Sequence, residues 1–286
     1  MTRISNSTVL ITGGASGIGK LMGQKCLQQG ASRLVIWDIN PENLQLVAAE
    51  FEAQGYQVHP YLVDIGNLAE VERTADRVLR EAGTPSILIN NAGIVVGKRF
   101  AEHSLFEIER TLNINVLGAM AATRVFLPAM LQQGHGHVVN IASAASLLPN
   151  PRMSVYAASK WAVLGWSESL RLELEQMSPH LHVTTVTPSY IDTGMFAGVK
   201  APLLTPILQP ETIANAILEA VKENKIILRK PFIVNLLPLL RGILPTRIFD
   251  AVVGKTFKVY TSMDKFSGRP GPVAVPEKRA TDTLTP

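Results

Sequence analysis

The stretch Thr8-Val9-Leu10-Ile11-Thr12-Gly13-Gly14-Ala15-Ser16-Gly17-Ile18-Gly19, residues 8–19, decides the fold. Five β-branched or aliphatic residues in a row have the character of a strand covered on both faces. Glycines follow at once, and helical periodicity begins at Gly17. A turn of this kind lets main-chain amides approach a phosphate, and the helix that follows stabilises negative charge at its N-terminus. Alone, a glycine-rich turn specifies only a tight bend. Its meaning depends on what lies further along the chain.

Working outward, short apolar runs recur at 33–37, 57–62, 87–90, 137–141 and 182–187. Between them, segments 17–29, 41–54, 68–82, 105–130 and 154–177 place apolar residues at helical spacing. Strands alternating with helices predict an α/β fold, a Rossmann-type doubly wound parallel sheet with helices on both faces. Ligands of such a sheet sit beyond the carboxyl ends of its strands. The expected organisation is a catalytic unit over 1–230, an apolar extension over 231–266 and a mobile tail over 267–286. Proline and small polar residues without apolar periodicity mark that tail.

Composition agrees with a large buried core: 47% of the 286 residues are hydrophobic and 17% charged. The net charge of +4 comes from scattered Lys and Arg, which argues against a nucleic-acid partner. One cysteine, Cys26, excludes an internal disulfide framework and falls among apolar helix positions. Six histidines without ligand spacing predict no metal. No signal peptide or transmembrane anchor is expected before the first strand, and the run 231–245 is too short to span a bilayer. A cytoplasmic protein follows, with membrane association left open by the C-terminal extension.

Asp38 stands at the end of the second strand, about twenty residues past the glycines, the spacing of a carboxylate that binds adenosine ribose hydroxyls. Neither Ser16 nor Ile39 is basic, so a 2′-phosphate finds repulsion rather than a partner. NAD is therefore expected over NADP. Further on, Tyr156-Ala157-Ala158-Ser159-Lys160 sets Tyr156 and Lys160 one turn apart on a helix face. A tyrosine works as acid or base near neutral pH only when its phenolate is stabilised, and a neighbouring ammonium does that. Ser143 lies thirteen residues before Tyr156, just past the strand 137–141.

The glycine turn, Asn90-Asn91-Ala92-Gly93, Asn115, Ser143 and the Tyr156/Lys160 pair together resemble the short-chain dehydrogenase/reductase family, over about 7–224. The resemblance implies an NAD-dependent alcohol dehydrogenase or carbonyl reductase. In it Tyr156 exchanges the proton at the substrate oxygen. Ser143 hydrogen-bonds that oxygen, and Lys160 lowers the tyrosine pKa and holds the nicotinamide ribose. Asn115 anchors a proton-relay water, with Asn113 the nearby competitor for that role. Gly13, Ser16, Gly17, Ile18 and Gly19 would surround the pyrophosphate and adenosine. Asp64 and Ile65 would meet the adenine, and Asn91, Ala92 and Gly93 would line the floor. Pro188, Ile191 and Thr193 match the segment that meets the nicotinamide carboxamide. The family more often has Pro-Gly where this chain has Pro188-Ser189. Homodimers or homotetramers are the implied assembly.

The segment after Thr193, Gly194-Met195-Phe196-Ala197-Gly198 and on to Pro210, is rich in leucine and proline and predicts an apolar substrate pocket. With Trp37-Asp38-Ile39-Asn40, the apolar 225–257 region resembles the retinol and 17-beta-hydroxysteroid dehydrogenase branch, whose members meet membranes or lipid droplets. The implied substrate is a lipophilic alcohol or its ketone or aldehyde. A small polyol on the same scaffold, or a non-catalytic NAD-binding protein, are the alternatives. Ile248, Phe249, Val252, Val253 and Phe257 recur at helical spacing, flanked by Arg241, Arg247, Lys255 and Lys258. That helix either packs on its own domain, meets a second subunit, or lies on an anionic bilayer as part of a peripheral contact over 231–258.

Overall fold

The computed structural model describes residues 1–269. Its strands are β1 Thr8–Thr12, β2 Arg33–Asp38, β3 Val58–Leu62, β4 Ile87–Asn90, β5 Gly136–Ile141, β6 Leu181–Pro188 and β7 Ile227–Lys230. They form one sheet in the order β3-β2-β1-β4-β5-β6-β7, with every pairing parallel. The strand order reverses between β1 and β4, so the chain leaves their carboxyl ends in opposite directions and opens a crevice there.

Helices α1 Gly17–Gln28, α2 Pro41–Glu52, α3 Leu68–Glu81, α4 Leu105–Leu112, α5 Ala119–Gln133, α6 Ser154–Met177 and α7 Pro210–Lys222 cover the sheet. Local chemistry sets their starts. Asn40 accepts from the Asn43 amide at 2.9 Å ahead of Pro41, and Asn67 accepts from Glu70 at 3.3 Å. Gly134, at φ +76°, ends α5 in the left-handed conformation.

Two cores result, one on each face. Met22, Phe51, Ile213 and Ile217 from α1, α2 and α7 pack on Val9, Ile11 and Ile36. Val71, Val78, Phe126 and Leu174 from α3, α5 and α6 pack on Leu10, Trp37 and Val138. Fully burying a side chain such as Phe126 contributes about 1.5–3 kcal/mol.

The doubly wound sheet expected from sequence is present, with two additions and one break. Strand β7 and helix α7 were not anticipated, although Ile213, Ala214, Ile217, Leu218 and Val221 after Pro210 carry a helical signal. The helix expected to run unbroken over 105–130 contains a π-helical stretch, Asn113–Gly118, between α4 and α5. The whole span Leu105–Gln133 is long and apolar enough to cross a membrane by length and composition. Here Ala122, Phe126 and Met130 are buried against the sheet, and Thr123 accepts from the Asn90 amide nitrogen at 2.9 Å.

Beyond β7 the chain forms a cap: a 3-10 turn Phe232–Leu236, α8 Leu237–Ile243, α9 Thr246–Phe249 and a second π-helical stretch, Asp250–Thr256. Phe249 and Val253 point inward and join Val234, Leu237, Leu147 and Leu164 of α6 in a third apolar cluster. These residues of the expected amphipathic helix therefore pack on their own domain, while Ile248 stays exposed. Arg241 also differs from expectation. Its guanidinium lies over the Trp161 ring at 4.5 Å and donates to the Leu147 carbonyl at 3.2 Å, fastening α8 to α6. Of the tail expected over 267–286, residues 270–286 lie outside the described residues, and 267–269 pack against the body of the fold.

Candidate active site

At the β1/β4 switch point lies a crevice of about 580 Å³. Gly13, Ser16, Gly17, Ile18, Asp38, Asp64, Ile65, Asn91, Ala92, Gly93, Pro188, Ile191 and Thr193 all line it, as do Ser143, Tyr156 and Lys160. Gly19 does not. It sits beneath the turn, where a Cβ would clash with the Gly13 carbonyl. Its contribution is the close approach of α1 to β1. Gly13 and Gly17 have φ of +65° and +53°, which other residues adopt at a cost.

The floor is tied together by backbone-directed polar contacts. Thr12 Oγ1 accepts from the amides of Asn91 and Ala92, both at 3.1 Å. The Asn91 side chain donates to the Thr12 and Gly13 carbonyls, each at 3.0 Å. At the β2 side of the crevice, Asp38 accepts from the Ala15 amide at 2.9 Å and the Asn40 amide at 3.0 Å, so both carboxylate oxygens are fixed at the crevice wall. Each oxygen keeps lone-pair capacity for a ligand hydroxyl. Asp64 pairs with Arg110 at 2.8 Å, a crevice residue that sequence reasoning missed. An arginine on α4, far along the chain, has no local motif to flag it.

A dinucleotide fits these features. The glycine turn contributes no side chains of its own at Gly13 and Gly17, amides and a helix N-terminus face the crevice, and a carboxylate waits one strand away.

At the other end of the crevice, Tyr156 and Lys160 share the buried face of α6. Burial pushes the Tyr156 phenol up to about 12, with the Ser143 hydroxyl acting in the opposite direction. Burial also brings Lys160 down to about 8. Lys160 Nζ donates to the Ile141 carbonyl at 2.8 Å and lies 5.7 Å from the tyrosine ring centre. In this arrangement desolvation outweighs the pairing expected between the two side chains, because the ammonium is turned to a carbonyl. Ser143 accepts from the Ala145 amide at 3.1 Å, which leaves its hydroxyl proton free to point into the site.

Asn115 lies in the π-helical stretch, buried, and does not line the crevice. Its amide accepts from Ile94 N at 2.8 Å and donates to Ile94 O at 2.9 Å and to Ser159 Oγ at 3.0 Å. The side chain thus ties the chain after β4 to α6.

Ser143, Ser189 and Phe196 also face a second, apolar cavity lined by Leu148, Met153, Leu237, Leu240, Val253 and Phe257. Phe196 sits edge-on between Tyr156 and Tyr190, at 6.0 Å and 5.1 Å. The loop that carries it is closed at its base by a parallel bridge between Ile191 and Leu208. Asn150, Tyr190 and Ser262 form a buried hydrogen-bonded trio at the cavity wall, again without a sequence signal of their own.

A family model described as short chain dehydrogenase matches residues 7–203. The chain belongs to the short-chain dehydrogenase family. It is an oxidoreductase with a nicotinamide dinucleotide crevice, and the resemblance drawn from its motifs holds, including the branch. It is 37% identical over 270 residues to epidermal retinol dehydrogenase 2 of Mus musculus, covering 93% of this chain and 87% of that one. Estradiol 17-beta-dehydrogenase 11 of Homo sapiens is 34% identical over 267 residues, covering 89% and 88%. Among solved structures, a short chain dehydrogenase/reductase from Burkholderia phymatum in complex with NAD superposes with a TM-score of 0.76 at 26% identity, covering 88% of this chain and 96% of that one. The fold is shared as well with a short chain dehydrogenase from Burkholderia cenocepacia in complex with NADP, at a TM-score of 0.75 and 24% identity, covering 88% and 99%.

Proposed function

We propose that this chain interconverts a lipophilic alcohol and its ketone or aldehyde, of hydroxysteroid or retinoid size, with NAD(H) as its dinucleotide. The observation that carries the reading is the apolar cavity that meets the crevice at Ser143. Its polar wall groups Asn150 and Tyr190 are already bonded to each other, which leaves little to recognise a polyol. The two relatives named for retinol and estradiol support the substrate class. In this conformation the cavity measures only about 90 Å³, so admitting such a molecule requires α8 and the Pro202–Thr205 loop to part.

The dinucleotide, when bound, supplies or takes up the hydride. In the reductive direction the Tyr156 hydroxyl gives its proton to the substrate oxygen. Its high pKa keeps it protonated for that step. Ser143 donates a hydrogen bond to the same oxygen as charge develops. In the oxidative direction Tyr156 must lose its proton, and Lys160, turned from Ile141 toward the phenol, offsets the burial penalty. Lys160 also offers donors to the nicotinamide ribose. The Asn115 turn holds the relay water. The intact Ser143, Tyr156 and Lys160 set argues against a non-catalytic reading.

Asp38 favours NAD, because a fixed carboxylate repels a 2′-phosphate. The unit 1–230 carries the chemistry and 231–266 forms the substrate cap. Exposed Phe232, Leu239, Ile243 and Ile248 surround that cap and support a peripheral membrane contact within 231–258. Exposed Leu105, Phe106 and Leu172 on α4 and α6 support a homodimer or homotetramer. A turnover screen of hydroxysteroids, retinol, fatty alcohols and small polyols with NAD and NADP tests the reading. Turnover of the lipophilic set with NAD is expected, and a preference for polyols sinks it.

A further inference from the structure

After the short turn Val259–Thr261 the chain crosses back over the mouth of the dinucleotide crevice. Met263 is buried, and Phe266 joins the apolar cluster of Tyr156 and Tyr190. Two glycines make room for this strap. A Cβ at Gly97 would clash with the Phe266 ring, and one at Gly198 would clash with the Lys265 carbonyl. The Ser267 and Gly268 amides donate to the Ala197 carbonyl at 2.9 and 3.2 Å. Gly268, at φ +70°, then turns the chain toward α1.

The residue delivered there is Arg269. Its Nη2 donates to the Thr193 carbonyl at 2.8 Å and its Nη1 to Ser16 Oγ at 3.3 Å. Ser16 is the N-cap of α1, and its side chain makes no capping bond. A guanidinium beside the positive end of a helix is electrostatically unfavourable unless an anion lies between them. No carboxylate pairs with Arg269 among the described residues, and its two hydrogen bonds leave donors unused. The crevice it overhangs is the one that takes the dinucleotide.

We propose that Arg269 grips the dinucleotide pyrophosphate from beside the N-terminus of α1, between Ser16 and Thr193. The strap 263–269 thereby joins the dinucleotide crevice to the Phe196 loop of the substrate cavity. This rests on the dinucleotide reading. It also supplies from the far end of the chain a cation that the Gly13–Gly19 turn lacks. A dinucleotide offers two phosphate sources here, the pyrophosphate of both NADH and NADPH and the 2′-phosphate of NADPH alone. Contact with the Thr193 carbonyl, on the nicotinamide side of Ser16, favours the pyrophosphate.

The test is equilibrium binding of NADH, NADPH, ADP-ribose and adenosine to the full chain and to Arg269→Ala, Arg269→Lys and Lys265→Ala. Arg269 is exposed, so the ligand-free melting temperature of its variants should match the parent. Arg269→Ala should weaken NADH, NADPH and ADP-ribose alike by about tenfold, the size of a charge-assisted hydrogen bond at a wet site, and leave adenosine unchanged. Arg269→Lys should recover part of the loss. Lys265→Ala, which removes the same charge from the same strap, should lose none. Unchanged NADH affinity in Arg269→Ala overturns the proposal, and so does a loss confined to NADPH, which assigns the arginine to the 2′-phosphate. Failure of the parent chain to bind either dinucleotide overturns the dinucleotide reading and the clamp with it.

Discussion

The dinucleotide crevice and the apolar cavity share Ser143, Ser189 and Phe196, yet they are built in opposite ways. The crevice is made largely of turns that leave the strands, and its dinucleotide end presents main-chain amides, small residues and the carboxylates of Asp38 and Asp64. Most of its parts lie within a few residues of the carboxyl ends of β1 to β6, with Tyr156 and Lys160 added from α6. The cavity draws its walls from loops, 3-10 turns and short helices between Ser143 and Val259, held by side-chain packing across more than a hundred residues. Backbone geometry is intolerant of change but indifferent to which apolar residue lies nearby. A packed wall tolerates shape changes and sets what fits. The first kind of site is suited to a ligand that never varies, the second to a substrate that differs among relatives.

Substitutions should separate the two. The largest effect is expected where they meet: Tyr156→Phe should cut turnover by about 10³-fold, as removal of a general acid does, with NADH affinity unchanged in a fluorescence titration. Retained turnover would break the assignment of proton transfer to this residue. Next, Phe249→Ala empties part of the cap core and should cost about 3 kcal/mol by denaturant unfolding. It should raise KM for a lipophilic alcohol while leaving NADH binding alone. A matched loss of NADH affinity would show that the regions are not separable. On the crevice side, Asp38→Ala should relax the NAD preference by about tenfold, read as the ratio of kcat/KM values with NAD and NADP. An unchanged ratio removes Asp38 from cofactor choice. The smallest effect belongs to Arg241→Gln, which removes a stacked cation from Trp161 and should cost about 0.5–1 kcal/mol in thermal unfolding. A stabilised variant would mean that Arg241 faces solvent rather than locking the cap.

Most of the crevice was legible because its signals are local. Gly13 and Gly17 are demanded by positive φ, Asp38 by its place at a strand end, and the Tyr156/Lys160 spacing by one helical turn. What escaped is just as regular. Thr12 ties β1 to β4 through two amides, and Arg110 pairs with Asp64 across 46 residues. Neither carries a spacing that can be read along the chain. Helix α7 was legible but overshadowed, since its apolar stripe follows a proline-rich loop that reads as one continuous segment. The π-helical stretch at Asn113–Gly118 has no such excuse in sequence, because its apolar periodicity is that of an ordinary helix.

By itself the sequence determined the parallel sheet, its glycine turn, the crevice carboxylate and the pair on α6. Each depends on backbone preferences, on a helical turn, or on a strand-to-strand spacing of about twenty residues, which can be read along the chain. Only the tertiary structure decided which way Lys160 points, that Asn115 holds Ile94, that Arg241 turns inward onto Trp161, and that Arg269 arrives beside Ser16 from 253 residues away. Those outcomes depend on desolvation and on which distant groups meet, and neither quantity exists until the two faces of the sheet and the cap have packed.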